Sequence, residues 1–205
     1  MNWFNRYLLG AALSAVVALP VLAADPKVDL VRAGEIVAGR CSLCHGPEGQ
    51  SASPIYPRLA GQHSEYIAKQ LGDFKSGKRK SETMKPQVEE LTPEEMTALG
   101  AFFENKKTTA RTGRDAELLA VGKYVFNRGN QFSGVPACMT CHGAQGHGTP
   151  QLPRLAGQHP RYIEDQLKQF NSRERNNDNA VMHTVASKLS ELERNAVAEY
   201  IATLD

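Results

Sequence analysis

Along residues 28–205 the apolar positions fall at helical spacing, in two runs of the same shape. Leu30, Val31, Gly34, Ile36, Val37 and Ala38 predict a short helix. Tyr66, Ile67, Leu71 and Phe74 predict a second, opened by Ser64 as its cap. Thr92-Pro93-Glu94-Glu95 reads as a cap, a first-turn proline and acidic first-turn residues, starting a third helix through Leu99, Phe102 and Phe103. The series then recurs. Gly122, Tyr124, Val125 and Phe126 make the first helix, and Tyr162, Ile163, Leu167 and Phe170 behind Pro160 make the second. Val197, Tyr200 and Ile201 behind Ser190-Glu191-Leu192-Glu193 make the third. No period-2 alternation competes, so the chain is expected to be all-α.

The recurrence extends to identical residues. Cys41-Ser42-Leu43-Cys44-His45-Gly46 returns as Cys138-Met139-Thr140-Cys141-His142-Gly143. Pro57-Arg58-Leu59-Ala60-Gly61-Gln62-His63 returns as Pro153-Arg154-Leu155-Ala156-Gly157-Gln158-His159. Tyr66-Ile67, Gln70-Leu71, Phe74, Met84 and Leu91 have counterparts in Tyr162-Ile163, Gln166-Leu167, Phe170, Met182 and Leu189. The chain is a duplication, with expected domains at 24–107 and 115–205. The linker at 108–114 lies within the polar stretch from Lys106 to Arg114. The copies differ chiefly there and in a longer Gly-rich segment, Arg128 to Pro136, ahead of Cys138. Each half is small enough for its apolar core to be marginal, and a large flat cofactor would supply what the side chains do not.

The first residues belong to neither half. Asn5-Arg6 is a basic start, Tyr7 to Leu19 is almost wholly apolar, and Val21-Leu22-Ala23 is a small-residue cleavage pattern. Residues 1–23 are therefore expected to be a signal peptide, cut after Ala23. An uncleaved anchor fits less well, because about 20 apolar residues span a bilayer and Pro20 interrupts the run. Basic and acidic side chains balance within each half, and the whole chain has a formal net charge of +2. That excludes the basic excess of a nucleic-acid binder.

Export would ordinarily make four cysteines two disulfides. Here all four sit in Cys-x-x-Cys-His, the signal for c-type haem attachment. Two cysteines three apart on a helix project to one side, as two thioether bonds to neighbouring vinyl groups require. The next histidine is then carried beneath the ring. A thioredoxin-like redox pair would need a βαβ context, and a zinc site would leave both histidines unexplained. The pattern thus predicts two covalently bound haem c groups, held by Cys41, Cys44, Cys138 and Cys141. His45 and His142 would be axial ligands to iron.

Elimination points to the sixth ligands. Met1 leaves with the signal, Met96 reads as core filler, and Met139 lies inside a haem motif. Met84 and Met182 remain, at equivalent positions in loops, one for each iron. The paired His63 and His159 are the rivals. Methionine opposite histidine raises the reduction potential of an electron-transfer haem, and histidine on both sides would lower it. An axial imidazole normally donates its other nitrogen to a fixed acceptor. Pro57 and Pro153, after His45 and His142 respectively, are the expected carbonyl acceptors. Arg58 and Arg154 are either propionate partners or solvated cations. His147 and His183 have no counterparts and read as surface or loop histidines.

In combination these elements resemble the dihaem cytochrome c4 family over nearly the whole chain beyond residue 23. The resemblance implies two tandem cytochrome c-like domains related by pseudo-twofold symmetry, each enclosing one covalent haem, with propionates near each other across the interface. It implies a monomeric periplasmic carrier moving single electrons in a respiratory chain. Its partners would be proteins such as a quinol–cytochrome c reductase and a terminal oxidase, with peripheral membrane association left open. A competing reading is a dihaem oxidoreductase such as a peroxidase or thiosulfate dehydrogenase, which would need an open sixth position. A cytochrome subunit fixed within a larger complex is a third.

Overall fold

The structure, a computed structural model, describes residues 28–113 and 115–205; the expected signal peptide lies outside them. Ten α-helices are described: α1 (Leu30–Ile36), α2 (Ser42–His45), α3 (Ser64–Lys75), α4 (Lys85–Val88), α5 (Pro93–Glu104), α6 (Ala116–Arg128), α7 (Met139–His142), α8 (Pro160–Ser172), α9 (Val181–Ala186) and α10 (Glu191–Ala202). A π-helical turn, Val37–Cys41, joins α1 to α2. Among the described residues the only β feature is the isolated bridge Asn130–Val135.

Local chemistry explains most helix starts. Thr92 and Ser190 form capping boxes with Glu95 and Glu193, satisfying two otherwise orphaned N–H groups at each start. Pro160 occupies the first turn of α8, where its missing N–H costs nothing. Ser64 is not the cap of α3: it is already the first helical residue, and His63 holds the N-cap position without a side-chain cap bond. The His63 ring is engaged elsewhere, as described below. Two short helices also appear where loops were expected. Met84 is the N-cap of α4, and Met182 lies inside α9.

Each half packs about its own core. In the first, α3 and α1 lie on α5 and bury Ile36, Val37, Ile67, Phe74, Val88, Leu91, Met96, Leu99 and Phe103. In the second, α6 and α8 lie on α10 and bury Val125, Phe126, Ile163, Phe170, Leu189, Val197 and Ile201. Met84 and Met182 pack against these cores at equivalent edges.

The halves meet across a polar seam in which pseudo-twofold symmetry exchanges donors and acceptors. Arg79 and Arg175, both buried, each reach into the opposite half. Arg79 Nη2 donates to Tyr162 Oη (2.9 Å) and Gln166 Oε1 (2.8 Å). Arg175 Nη2 donates to Tyr66 Oη (2.9 Å) and Gln70 Oε1 (3.2 Å). Each guanidinium also lies over a phenyl ring of its own half, Phe74 and Phe170, at 4.6 and 4.5 Å from the centroid. Residues 108–111 are tied down beside this seam: Arg58 Nη1 donates to Thr109 O and Arg154 Nη2 to Thr108 Oγ1. Arg111 N donates to Ala202 O. The two halves are therefore closely docked.

Candidate functional site

Both Cys-x-x-Cys-His motifs end in one helical turn, α2 and α7, closed by Gly46 and Gly143 at φ +76° and +79°. That left-handed conformation costs little only for glycine, and it turns the chain sharply after each histidine. The returning loop then bonds back: Ser51 N donates to His45 O and Gly148 N to His142 O, both at 2.8 Å. No two of the four cysteines are joined in a disulfide. Burial pushes the Cys41 and Cys138 thiols up to about 11, so they are neutral near pH 7. A redox pair works through a lowered thiol pKa, so this environment speaks against one.

His45 and His142 are only 6% and 8% exposed. His45 Nδ1 lies 2.9 Å from Pro57 O, and His142 Nδ1 lies 3.2 Å from Pro153 O. A carbonyl only accepts, so each Nδ1 carries the proton and each Nε2 presents a lone pair. Burial pushes both imidazoles below their ordinary pKa, against the opposing effect of the proline carbonyls. They are thus held neutral, in one tautomer and one orientation, which is the form that binds a metal.

The rival histidines are otherwise committed. His63 Nε2 bonds to His147 O (2.7 Å) and His159 Nε2 to Ser51 O (2.9 Å), each in the opposite half. Exposed His147 in turn sets its Nε2 against Asp205 O (2.8 Å). His183 is half-buried on α9, not in a loop, with Nδ1 on Phe170 O (3.0 Å).

The arginines after the two prolines test the fit of an anionic cofactor. Arg58 Nε and Arg154 Nε are buried donors without a protein acceptor, at equivalent positions in the duplication. A carboxylate can accept from such donors, and haem propionates have that chemistry. The residues present therefore fit the group. Arg79, Arg175, Gln62 and Gln158 bond across the two halves beside these sites, and haem-motif spacing alone does not pick them out. Their sequence signal is recurrence at a fixed offset, with both arginines five positions beyond Phe74 and Phe170.

Fold and site define a helical c-type cytochrome with two haem-attachment centres. The family model for cytochrome c matches residues 31–107 and again 120–205. Cytochrome c4 of Thiocapsa roseopersicina is 42% identical over 89% of this chain and 96% of its own length. A thiosulfate dehydrogenase electron acceptor of Stutzerimonas stutzeri (strain A1501) is 35% identical, over 96% of this chain and 94% of that one. Among solved structures, reduced recombinant cytochrome c4 from Pseudomonas stutzeri superposes with a TM-score of 0.82 at 34% identity, covering 86% of this chain and 99% of that one. The chain belongs to the dihaem cytochrome c4 family. It carries two covalently bound haem c groups and serves as a dihaem electron carrier that exchanges electrons with redox partners.

Proposed function

We propose that the chain is an exported, non-catalytic one-electron relay in a periplasmic respiratory chain. In this reading Cys41, Cys44, Cys138 and Cys141 bear the two haems, and the irons are ligated by His45 with Met84 and by His142 with Met182. Each haem would supply a one-electron redox couple at its iron. The protein's task is then to hold, orient and shield. α2 and α7 set the cysteines and histidine on one turn, Pro57 and Pro153 fix the imidazole planes, and the two apolar cores exclude water. A six-coordinate site that keeps both ligands reorganises little, which favours fast transfer and disfavours catalysis at iron.

The observation that carries this reading is the matched pair of Nδ1–carbonyl bonds on two buried, neutral imidazoles. The reading keeps the domains proposed from the duplication, 24–107 and 115–205 with a linker at 108–114, and puts one ligand set in each half. Among the described residues no helix is long and apolar enough to cross a membrane. Quinol–cytochrome c reductase and a terminal oxidase are the partners proposed for a monomeric carrier of this kind, with membrane association peripheral if present. The Stutzerimonas relative adds a second source of electrons, since it is named as acceptor for a thiosulfate dehydrogenase. That name describes a recipient of the enzyme's electrons, so it favours the carrier reading over the alternative of a thiosulfate dehydrogenase or peroxidase.

Ligation and reactivity test the proposal together. The oxidised haem-loaded protein should show a sulfur-to-iron charge-transfer band, and the reduced protein should resist carbon monoxide. Rapid carbon monoxide binding at either native iron, or peroxide turnover, would overturn the carrier reading. The donor is tested by reducing the loaded protein with thiosulfate and a purified thiosulfate dehydrogenase; no reduction would remove that source.

A further inference from the structure

Pro57 C=O and Arg58 N–H are the two ends of a single peptide group. At one end the carbonyl accepts from His45 Nδ1 (2.9 Å). At the other, the N–H donates to Gln158 Oε1 (2.8 Å), a side chain of the opposite half. Gln158 Nε2 returns a bond to Arg58 O (2.9 Å), so its amide grips the residue on both sides. The mirror arrangement is complete. Pro153 C=O accepts from His142 Nδ1, while Arg154 N donates to Gln62 Oε1 (2.8 Å) and Gln62 Nε2 donates to Arg154 O (2.9 Å).

The next residue in each half adds a second grip. His159 Nε2 holds Ser51 O, and Ser51 N holds the carbonyl of His45. His63 Nε2 holds His147 O, and the adjacent Gly148 N holds the carbonyl of His142. Gln62 and Gln158 are 6% and 7% exposed, so water does not compete for these bonds. Each histidine that faces iron is therefore steadied, at its ring and at its backbone, by a Gln-His pair from the other half.

We propose that Gln62 and Gln158 are crossed positioning residues, each helping to set the reduction potential of the iron in the opposite half. The inference rests on His45 and His142 being the axial ligands. The physical cause is polarisation along a chain of hydrogen bonds. An acceptor on a peptide N–H makes the same peptide's carbonyl a better acceptor. A better acceptor draws the imidazole proton and makes the ligand more basic, which favours oxidised iron. Removing Gln158 weakens that pull on His45 and raises the potential of the first-half iron. Removing Gln62 does the same for the second-half iron.

The test is a redox titration of the intact haem-loaded protein followed by NMR. Hyperfine-shifted resonances are assigned to each haem through its own Cys-x-x-Cys residues. Gln158→Leu is expected to shift the first-half equilibrium three- to tenfold toward the reduced form, where tenfold corresponds to about 59 mV for one electron. The second-half equilibrium should move less than twofold. Gln62→Leu should give the mirror result. Gln158→Glu keeps the acceptor on Arg58 N–H, so it should leave the first-half potential no higher than in the unmutated protein. Faster solvent exchange of His45 Nδ1–H in Gln158→Leu is the accompanying signature. Larger shifts in the mutated half, equal shifts in both, or none with both haems loaded would overturn the proposal. If Gln158→Leu does not fold, Gln158→Glu and the Gln62 pair carry the same comparison. Ring-proton hyperfine shifts from His45 and His142 in the unmutated protein separate the two readings. Without them the ligand assignment falls and this inference with it; with them, uncrossed shifts sink this inference alone.

Discussion

The two halves repeat the same motifs but solve their surroundings differently. In the first, a π turn leads into the haem motif, and the imidazole–carbonyl bond is 2.9 Å. In the second, α6 ends at Gly129 and the chain makes a tight turn closed by the Asn130–Val135 bridge. There the imidazole–carbonyl bond is 3.2 Å. Asn130 Nδ2 also donates to Glu193 Oε1 (2.7 Å), tying that turn to the capping box of α10. The buried seam is uneven too: Asp73 of the first half, bonded to Lys69 and Asn177, has Gln169 as its counterpart. Duplication has kept the coordinating geometry while its environment diverged. Two copies of one motif are thereby expected to work as two electronically distinct centres.

Exchanging a proposed axial ligand should separate the two halves most visibly. Met84→His in the loaded protein is expected to lower the first-half potential by at least two tenfold steps, about 59 mV each. The second-half wave should keep its position. Spectroelectrochemistry reads both, and an unchanged first wave would remove Met84 from the site. Next comes a packing contrast at equivalent glycines. A Cβ on Gly122 of α6 would lie 2.0 Å from Ala196 O, so α6 and α10 touch at the backbone. A Cβ on Gly34 of α1 would meet nothing closer than Phe102 at 3.8 Å. Gly122→Ala should therefore cost at least about 1–3 kcal/mol from overpacking. Gly34→Ala should be neutral or gain up to about 1 kcal/mol of helix propensity. Denaturant unfolding of the two variants checks the difference, and equal costs would contradict the asymmetric helix contact.

Acid should separate the halves more weakly. Burial pushes His159 below its ordinary 6.5, opposed by Ser51 O and reinforced by the nearby Arg58 and Arg111 charges. As pH falls below about 6.5 the unfolded chain takes up a proton that the folded one refuses, so stability declines toward acid. The contribution is at most about 1.4 kcal/mol per pH unit until the folded value is passed. His159→Gln keeps a donor for Ser51 O and removes the titration, so its stability–pH slope between 6.5 and lower pH should be flatter. An identical slope would assign the acid sensitivity to another group.

The haem motifs, the tandem helices and the duplicated proline carbonyls were legible in the chain, because each depends on short-range spacing that sequence preserves. The crossed grip was not. Gln62-His63 and Gln158-His159 repeat in full view, yet repetition cannot say whether a side chain serves its own half or the other. Ser64 shows a smaller gap: a hydroxyl before an apolar run marks a helix start, but its exact first residue varies by one or two positions. Arg79 and Arg175 were obscured because arginine usually lies at the surface; only docking of the halves supplies the ring faces and acceptors that make their burial tolerable.

In the proposed arrangement His45 and His142 anchor two six-coordinate irons of the same ligand type and unequal potential. A spectroelectrochemical titration of the purified haem-loaded protein addresses it directly. The expected result is two one-electron steps of equal amplitude, with the sulfur-to-iron band lost in proportion to both. One step from identical sites, or a sulfur-to-iron band that accounts for only one of the haems, would rule this arrangement out.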